Sequence, residues 1–150
     1  MRYQTENEWN TFDFRESYVG ELRFTSGMFQ IYLDNVKILE QNSCNRDVRT
    51  MRANGLEFRI VEPKILEIIE EGCKIYNADG VLQQEIEDRV LQENEYASLC
   101  EQVEGAILYG LKKEGDIYEI GMDGEEHAYT IRVAGSADIE EWDRFLNLES

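Results

Sequence analysis

The dipeptide Asn54-Gly55, set between TMRA and LEFRIV, constrains this chain more than any other pair of residues. Both residues tolerate positive φ, and between apolar alternations the pair is the strongest short signal for a two-residue hairpin turn. Such a turn pairs Ala53 with Leu56, Arg52 with Glu57 and Met51 with Phe58. The apolar pairs then share one face and an opposite-charge pair takes the other, so the register is self-consistent.

The flanking sequence repeats the β texture. Tyr18, Gly20, Leu22 and Phe24 alternate with Val19, Glu21 and Arg23, the period of a half-buried strand. Ser26-Gly27 offers a turn into residues 28–33, where Phe29, Ile31 and Leu33 share a face, and Asp34-Asn35 offers another into residues 36–39. Trp9, Phe12 and Phe14 pin the start of the chain to the core. Beyond Pro63, residues 65–69 and 73–76 flank Glu70-Glu71-Gly72 as a further hairpin, and residues 106–111, 117–122 and 129–133 return to strand.

Two segments change period. Tyr96, Leu99, Cys100 and Val103 stand at i, i+3, i+4 and i+7, which predicts a central helix over about 94–104 with Asn94 as its cap and Gly105 just past its end. Asp138 followed by Glu141 reads as a capping box, and Ile139, Trp142, Phe145 and Leu146 form one apolar side, which predicts a short C-terminal helix over about 137–147. Residues 83–92 stay open between helix and strand: Ile86 and Val90 fit a backward extension of the central helix or a separate turn, and the stretch can also be read as strand. The expected architecture is mainly β (α+β) in one domain over 1–150. About eight or nine strands form an antiparallel meander, a curved sheet or a partly open barrel or sandwich covered by these two helices.

The stretch AYTIRVAGSADIEEWDRFLN, residues 128–147, resembles the closing strand and helix of pleckstrin-homology-type domains through its single Trp142. Some such domains bind anionic lipid through basic residues in the first hairpin loop. That loop here reads TSGM, so the lipid function does not carry over.

The net charge is −17, and residues 76–150 hold 19 acidic and 5 basic side chains against 13 and 10 in residues 1–75. A field of this sign repels nucleic acid and anionic membranes and speeds encounter with a basic protein. Cys44, Cys73 and Cys100 are odd in number with no CxxC spacing, and no apolar run approaches the length of a membrane span. A cytoplasmic protein with reduced thiols is expected. The one basic concentration, Arg46, Arg49, Arg52 and Arg59, is a candidate anion site, although Asp47 and Glu57 lie beside it.

The hexapeptide MDGEEH, residues 122–127, gathers three carboxylates with the only histidine. If Asp123-Gly124 is the turn, Ile120 faces His127 and Tyr118 faces Tyr129; if DGEE is the loop, Met122 faces His127. Both registers put Tyr118, Ile120, Met122, His127, Tyr129, Ile131 and Val133 on one side, so the carboxylates do not converge and no metal site is expected. Phosphate-loop, dinucleotide, zinc-protease and hydrolase motifs are absent, and no cofactor is expected. The leading functional expectation is non-catalytic binding of a macromolecule, in its sharper form inhibition of a basic protein. The alternative is a small-molecule- or metal-binding barrel or an enzyme, with a pocket near Tyr118, Tyr129 and His127.

Overall fold

A computed structural model describes residues 1–25 and 27–148. Its elements run β1 (Tyr3–Glu6), a 3-10 turn (Trp9–Thr11), β2 (Phe12–Asp13), β3 (Tyr18–Thr25), β4 (Met28–Asp34), β5 (Val36–Ile38), β6 (Met51–Ala53), β7 (Leu56–Val61) and β8 (Lys64–Glu70). There follow β9 (Cys73–Tyr76), β10 (Leu82–Ile86), β11 (Arg89–Val90), a second 3-10 turn (Glu93–Glu95), the helix α1 (Tyr96–Gln102), β12 (Ile107–Glu114), β13 (Ile117–Asp123), β14 (Ala128–Ala134) and β15 (Ala137–Trp142). Ten strands form one antiparallel sheet in the order β1-β15-β7-β4-β3-β12-β13-β14-β8-β11, while β2-β5-β6 and β9-β10 form two smaller sheets. The fold is mainly β, and its large sheet curls without closing into a barrel.

The curl follows from which side chains meet. β7 and β13 are four strand spacings apart, roughly 19 Å in a flat sheet. Yet the rings of Phe58 and Tyr118 lie only 6.1 Å apart. The sheet therefore folds over at β3 and β12, where contact shrinks to a few backbone bonds such as Val19 N–H to the Ala106 carbonyl at 2.8 Å. Phe29, Ile31, Leu33 and Phe58 from one half pack against Tyr118, Ile120, Met122, Tyr129, Ile131 and Val133 from the other, and all are buried. Phe12 and Phe14 join this core as expected, with Phe14 edge-on to Phe58 at 5.6 Å.

Asn54-Gly55 is not a hairpin turn. β7 pairs with β4 and β6 with β5, in one continuous register: Leu33 faces Leu56, Val36 faces Ala53 and Ile38 faces Met51. The four segments are a single long ribbon that bends where Asn35 and Gly55 take positive φ, 60° and 67°. Side chains occupy the interrupted ladder there. The Asn54 amide oxygen accepts from Asn35 N–H at 2.9 Å and an Asp34 carboxylate oxygen accepts from Gly55 N–H at 2.8 Å. The predicted turn at Asp34-Asn35 is the facing half of the same corner, so positive-φ residues and short polar side chains here bend a ribbon rather than reverse it.

Other segments also depart from their predicted pairing. β8 pairs with β14 and β11, leaving β9 to pair with β10, so residues 83–92 are largely strand and Glu70-Glu71-Gly72 launches a new ribbon instead of closing a hairpin. In β3 a bulge at Gly20 shifts the alternation, turning Val19 and Leu22 inward and leaving Tyr18 exposed. The turn between β3 and β4 sits between Thr25 and Met28; Ser26, half of the predicted Ser26-Gly27 pair, lies outside the described residues. These pieces raise the strand count above the eight or nine expected.

The central helix is present and buries Leu99 and Val103. The 3-10 turn that leads into it is capped from Gln92 rather than Asn94, through reciprocal bonds with Glu95 that include Gln92 N–H to the Glu95 carboxylate at 2.7 Å. The predicted helix over 137–147 is instead the strand β15, which removes the resemblance to a pleckstrin-homology closing helix. Its inward row is Asp138, Glu140 and Trp142, all buried. Two inward acids disguise the period of two, while Ile139 and Trp142 imitate a helical spacing of three.

Candidate functional site: an acidic end with a projecting ribbon

One end of the molecule is built by the β13–β14 loop, the C-terminal turn of α1 and the root of the β9–β10 ribbon. The loop register is Met122 facing Tyr129 and Asp123 facing Ala128, two residues beyond the DGEE alternative and four beyond the Asp123-Gly124 turn. Gly124-Glu125-Glu126-His127 is therefore the loop, closed by Gly124 N–H donating to the His127 carbonyl at 2.9 Å. The inward parity is as expected for Tyr118, Ile120, Met122, Tyr129, Ile131 and Val133. His127 leaves that row and is exposed, its Nε2 3.7 Å from Glu70 Oε1 and its ring edge-on to Tyr129 at 6.3 Å.

This loop and α1 enclose a cleft of about 410 Å³ lined by Glu101, Glu104, Glu125, Glu126, His127 and Tyr129, with Gln102 at its inner wall. The Tyr129 hydroxyl donates to Gln102 Oε1 at 2.7 Å, and burial raises the phenol above its ordinary range, with nearby Glu70 adding to the shift. Tyr118 does not join them. It lies five residues along the strand from Asp123, roughly 17 Å, and donates to Asp138 Oδ1 at 2.6 Å inside the core. Of the three predicted pocket residues, Tyr129 and His127 thus line the cleft together and Tyr118 lies in the interior. Among the described residues no three His, Cys, Asp or Glu side chains gather as a metal-binding group.

The four arginines are also dispersed in role. Arg59 bridges Glu57 at 3.2 Å and Glu141 at 2.9 Å, Arg49 donates to the Asn147 amide oxygen at 2.9 Å, Arg52 reaches the Asn54 amide oxygen at 3.4 Å, and Arg46 is exposed.

Next to the acidic cleft, the β9–β10 ribbon leaves the body. All of residues 73–90 are exposed, including Ile75, Tyr76, Val81, Leu82, Ile86 and Val90. The root is held tightly. Gly72 N–H donates to Asp88 Oδ1 at 2.7 Å, and Arg89 bridges Glu95 at 2.6 Å and Glu70 at 3.1 Å. The bond from Gln92 N–H and the Arg89 guanidinium together hold the Glu95 carboxyl below its usual range. A Cβ on Gly72 would stand 1.9 Å from the Ile86 carbonyl oxygen, so the two chain segments cross at a distance only glycine permits. Gly72→Ala is expected to cost about 1–3 kcal/mol by overpacking. The accompanying sign is faster amide exchange at residues 68–72 and 86–91, with the distant β3–β4 amides unchanged.

Sequence reasoning missed the ribbon because its alternation is broken: a bulge between Leu82 and Gln84 shifts the pattern, and acids at 85, 87 and 88 give the stretch a helical look. No helix among the described residues is long and apolar enough to cross a membrane. No family model matches this chain, and neither the curated proteins nor the solved structures include a similar one.

Proposed function

We propose that this chain is a non-catalytic binding protein whose acidic end receives a basic protein. The observation that carries this reading is the concentration of Glu101, Glu104, Glu125 and Glu126 around one cleft, with Glu70 and Glu71 at its margin. Arg89, the basic residue at this end, is already held by Glu70 and Glu95 and does not offset the cleft. An acidic concavity on a chain of net charge −17 focuses the field toward cationic groups and accelerates their capture. Of the residues expected to form a small-molecule pocket, Tyr129 and His127 line this cleft while Tyr118 is held by Asp138 in the core.

The test uses the whole protein as bait in an extract of its native host, beside a variant with Glu101, Glu104, Glu125 and Glu126 replaced by glutamine. A basic protein captured at low salt is expected to associate with the variant at least tenfold more slowly, the lower end of steering effects. Its association with the unaltered chain is expected to slow steeply with added salt. A partner that binds both forms at the same rate, or one retained unchanged at high salt, overturns the assignment.

A further inference from the structure

The β9–β10 ribbon calls for a different occupant from the acidic cleft. A two-stranded ribbon is marginal in water by itself, and exposed apolar side chains grouped on one projection mark an interaction surface. Here Ile75, Tyr76, Val81, Leu82 and Ile86 are between 44 and 55% exposed on a ribbon whose root is fixed by Gly72, Asp88 and Arg89. Its turn is equally well made: Asn77 N–H donates to the Val81 carbonyl at 2.9 Å, and Asn77 Oδ1 accepts from the N–H groups of Asp79 at 2.9 Å and Val81 at 3.0 Å. These root and turn bonds favour the paired form of the projection, which lowers the ordering cost of association.

Charge selects the partner. Residues 73–86 carry Lys74, Asp79 and Glu85, and Lys74 lies 3.9 Å from Glu85 across the ribbon. A basic protein would find little to hold there. For a second copy of this acidic chain, a nearly neutral and apolar projection is a place of close approach with little like-charge repulsion.

The two edges of the ribbon are unequal. β10 is interrupted by its bulge between Leu82 and Gln84, a device that blunts edge pairing, whereas β9 is a regular extended strand. We propose that two copies of this chain join through β9, antiparallel and edge to edge about a two-fold axis, to make a four-stranded sheet in the order β10-β9-β9-β10. The contact is isologous: the same strand meets itself, and Ile75 and Tyr76 of each copy lie beside the other copy's β9.

Sedimentation of the whole protein at physiological salt, from about 1 μM to about 1 mM to cover weak to moderate affinities, is expected to show conversion to twice the 17.6 kDa of one chain. Ile75→Lys, an exposed position, places two like charges at the join and is expected to weaken dimerisation at least tenfold, whereas Leu82→Lys on the outer strand leaves it within about twofold. Independently, amide exchange in residues 73–76 of the unaltered protein is expected to slow as concentration rises, with residues 82–86 unaffected. A monomer throughout the concentration range, a dimer untouched by Ile75→Lys, or equal loss in both variants overturns edge pairing through β9. The charge variants that test the acidic cleft leave β9 intact, so failure of either assignment is distinguishable from failure of the other.

Discussion

Replacing Trp142 with alanine is expected to remove about 3–5 kcal/mol of folding stability, the range for deleting a buried large side chain. The indole is fully buried at the end of β15 and is enclosed by three rings: Tyr3 stacked at 5.7 Å, and Phe12 and Phe145 edge-on at 5.5 and 5.6 Å. These rings come from β1, β2 and the segment after β15, so the indole joins the edge of the large sheet to the small β2-β5-β6 sheet. Domains have only about 5–15 kcal/mol to lose, so the variant should be largely unfolded in mild denaturant. Urea unfolding followed by far-UV circular dichroism is the appropriate measurement, because Trp142 is one of only two tryptophans and its fluorescence changes with the substitution itself. Trp142→Phe should recover part of the loss. A loss below about 1 kcal/mol, the level of an ordinary substitution, would show that the ring does not seal this end of the core.

The second large effect concerns Glu140. Its side chain is buried on the inward face of β15 and accepts from Thr5 Oγ1 at 2.8 Å, beside the equally buried Asp138, which receives the Tyr118 hydroxyl. Burial pushes the Glu140 carboxyl up to about 10, with nearby Asp138 adding to the shift. The same burial, together with Asp138, raises the Tyr118 phenol well above its ordinary range. Glu140 in the folded chain therefore keeps a proton that it releases near 4.5 when unfolded. Its contribution to stability is complete below about pH 4.5 and declines as pH rises from there toward 10, with a limiting slope of about 1.4 kcal/mol per pH unit for one proton.

Thermal melting should consequently improve as pH falls from 8 to 5. Below that range Asp13 and Glu95, whose carboxyls are held below their ordinary values by Arg15 and by Gln92 N–H with Arg89, reverse the trend. Glu140→Gln supplies a neutral amide of the same shape, able to donate toward Asp138 and accept from Thr5. It should flatten the dependence between pH 5 and 8 and melt higher than the unaltered chain at pH 8. A variant with the original slope would sink this account.

Glu140 also explains where sequence reading succeeded and where it failed. The inward parity of β13 and β14 was legible because Tyr118, Ile120, Met122, Tyr129, Ile131 and Val133 are apolar and nothing interrupts them. β15 was not, because a strand whose inward positions are Asp138 and Glu140 violates the rule by which strands are found. The helix over residues 96–102 was recognisable from its buried stripe, while the 3-10 turn before it, closed by a reciprocal Gln92–Glu95 bond, moved the cap two residues back from Asn94. Register was hidden wherever one irregular residue shifts the alternation, as at Gly20, or wherever positive φ has two uses, as at Asn35 and Gly55. For the site, His127 and Tyr129 were visible as residues, but the cleft depends on α1 meeting the β13–β14 loop, a contact between segments remote in sequence.

The place of β15 in the large sheet has a consequence for biosynthesis. β7 lies between β4 and β15, and β1 has β15 as its only neighbour in that sheet. The β4–β7 ribbon closes locally, but one side of Leu56–Val61, and the whole of Tyr3–Glu6, must wait for residues 137–142 to leave the ribosome. At about 5–20 residues per second, the wait is several seconds, during which an apolar strand edge is open to other nascent chains. Non-local closure of this kind also makes for slow folding. The acidic side chains that emerge from residue 76 onward then act before the fold is complete, keeping unfinished chains apart until β15 docks.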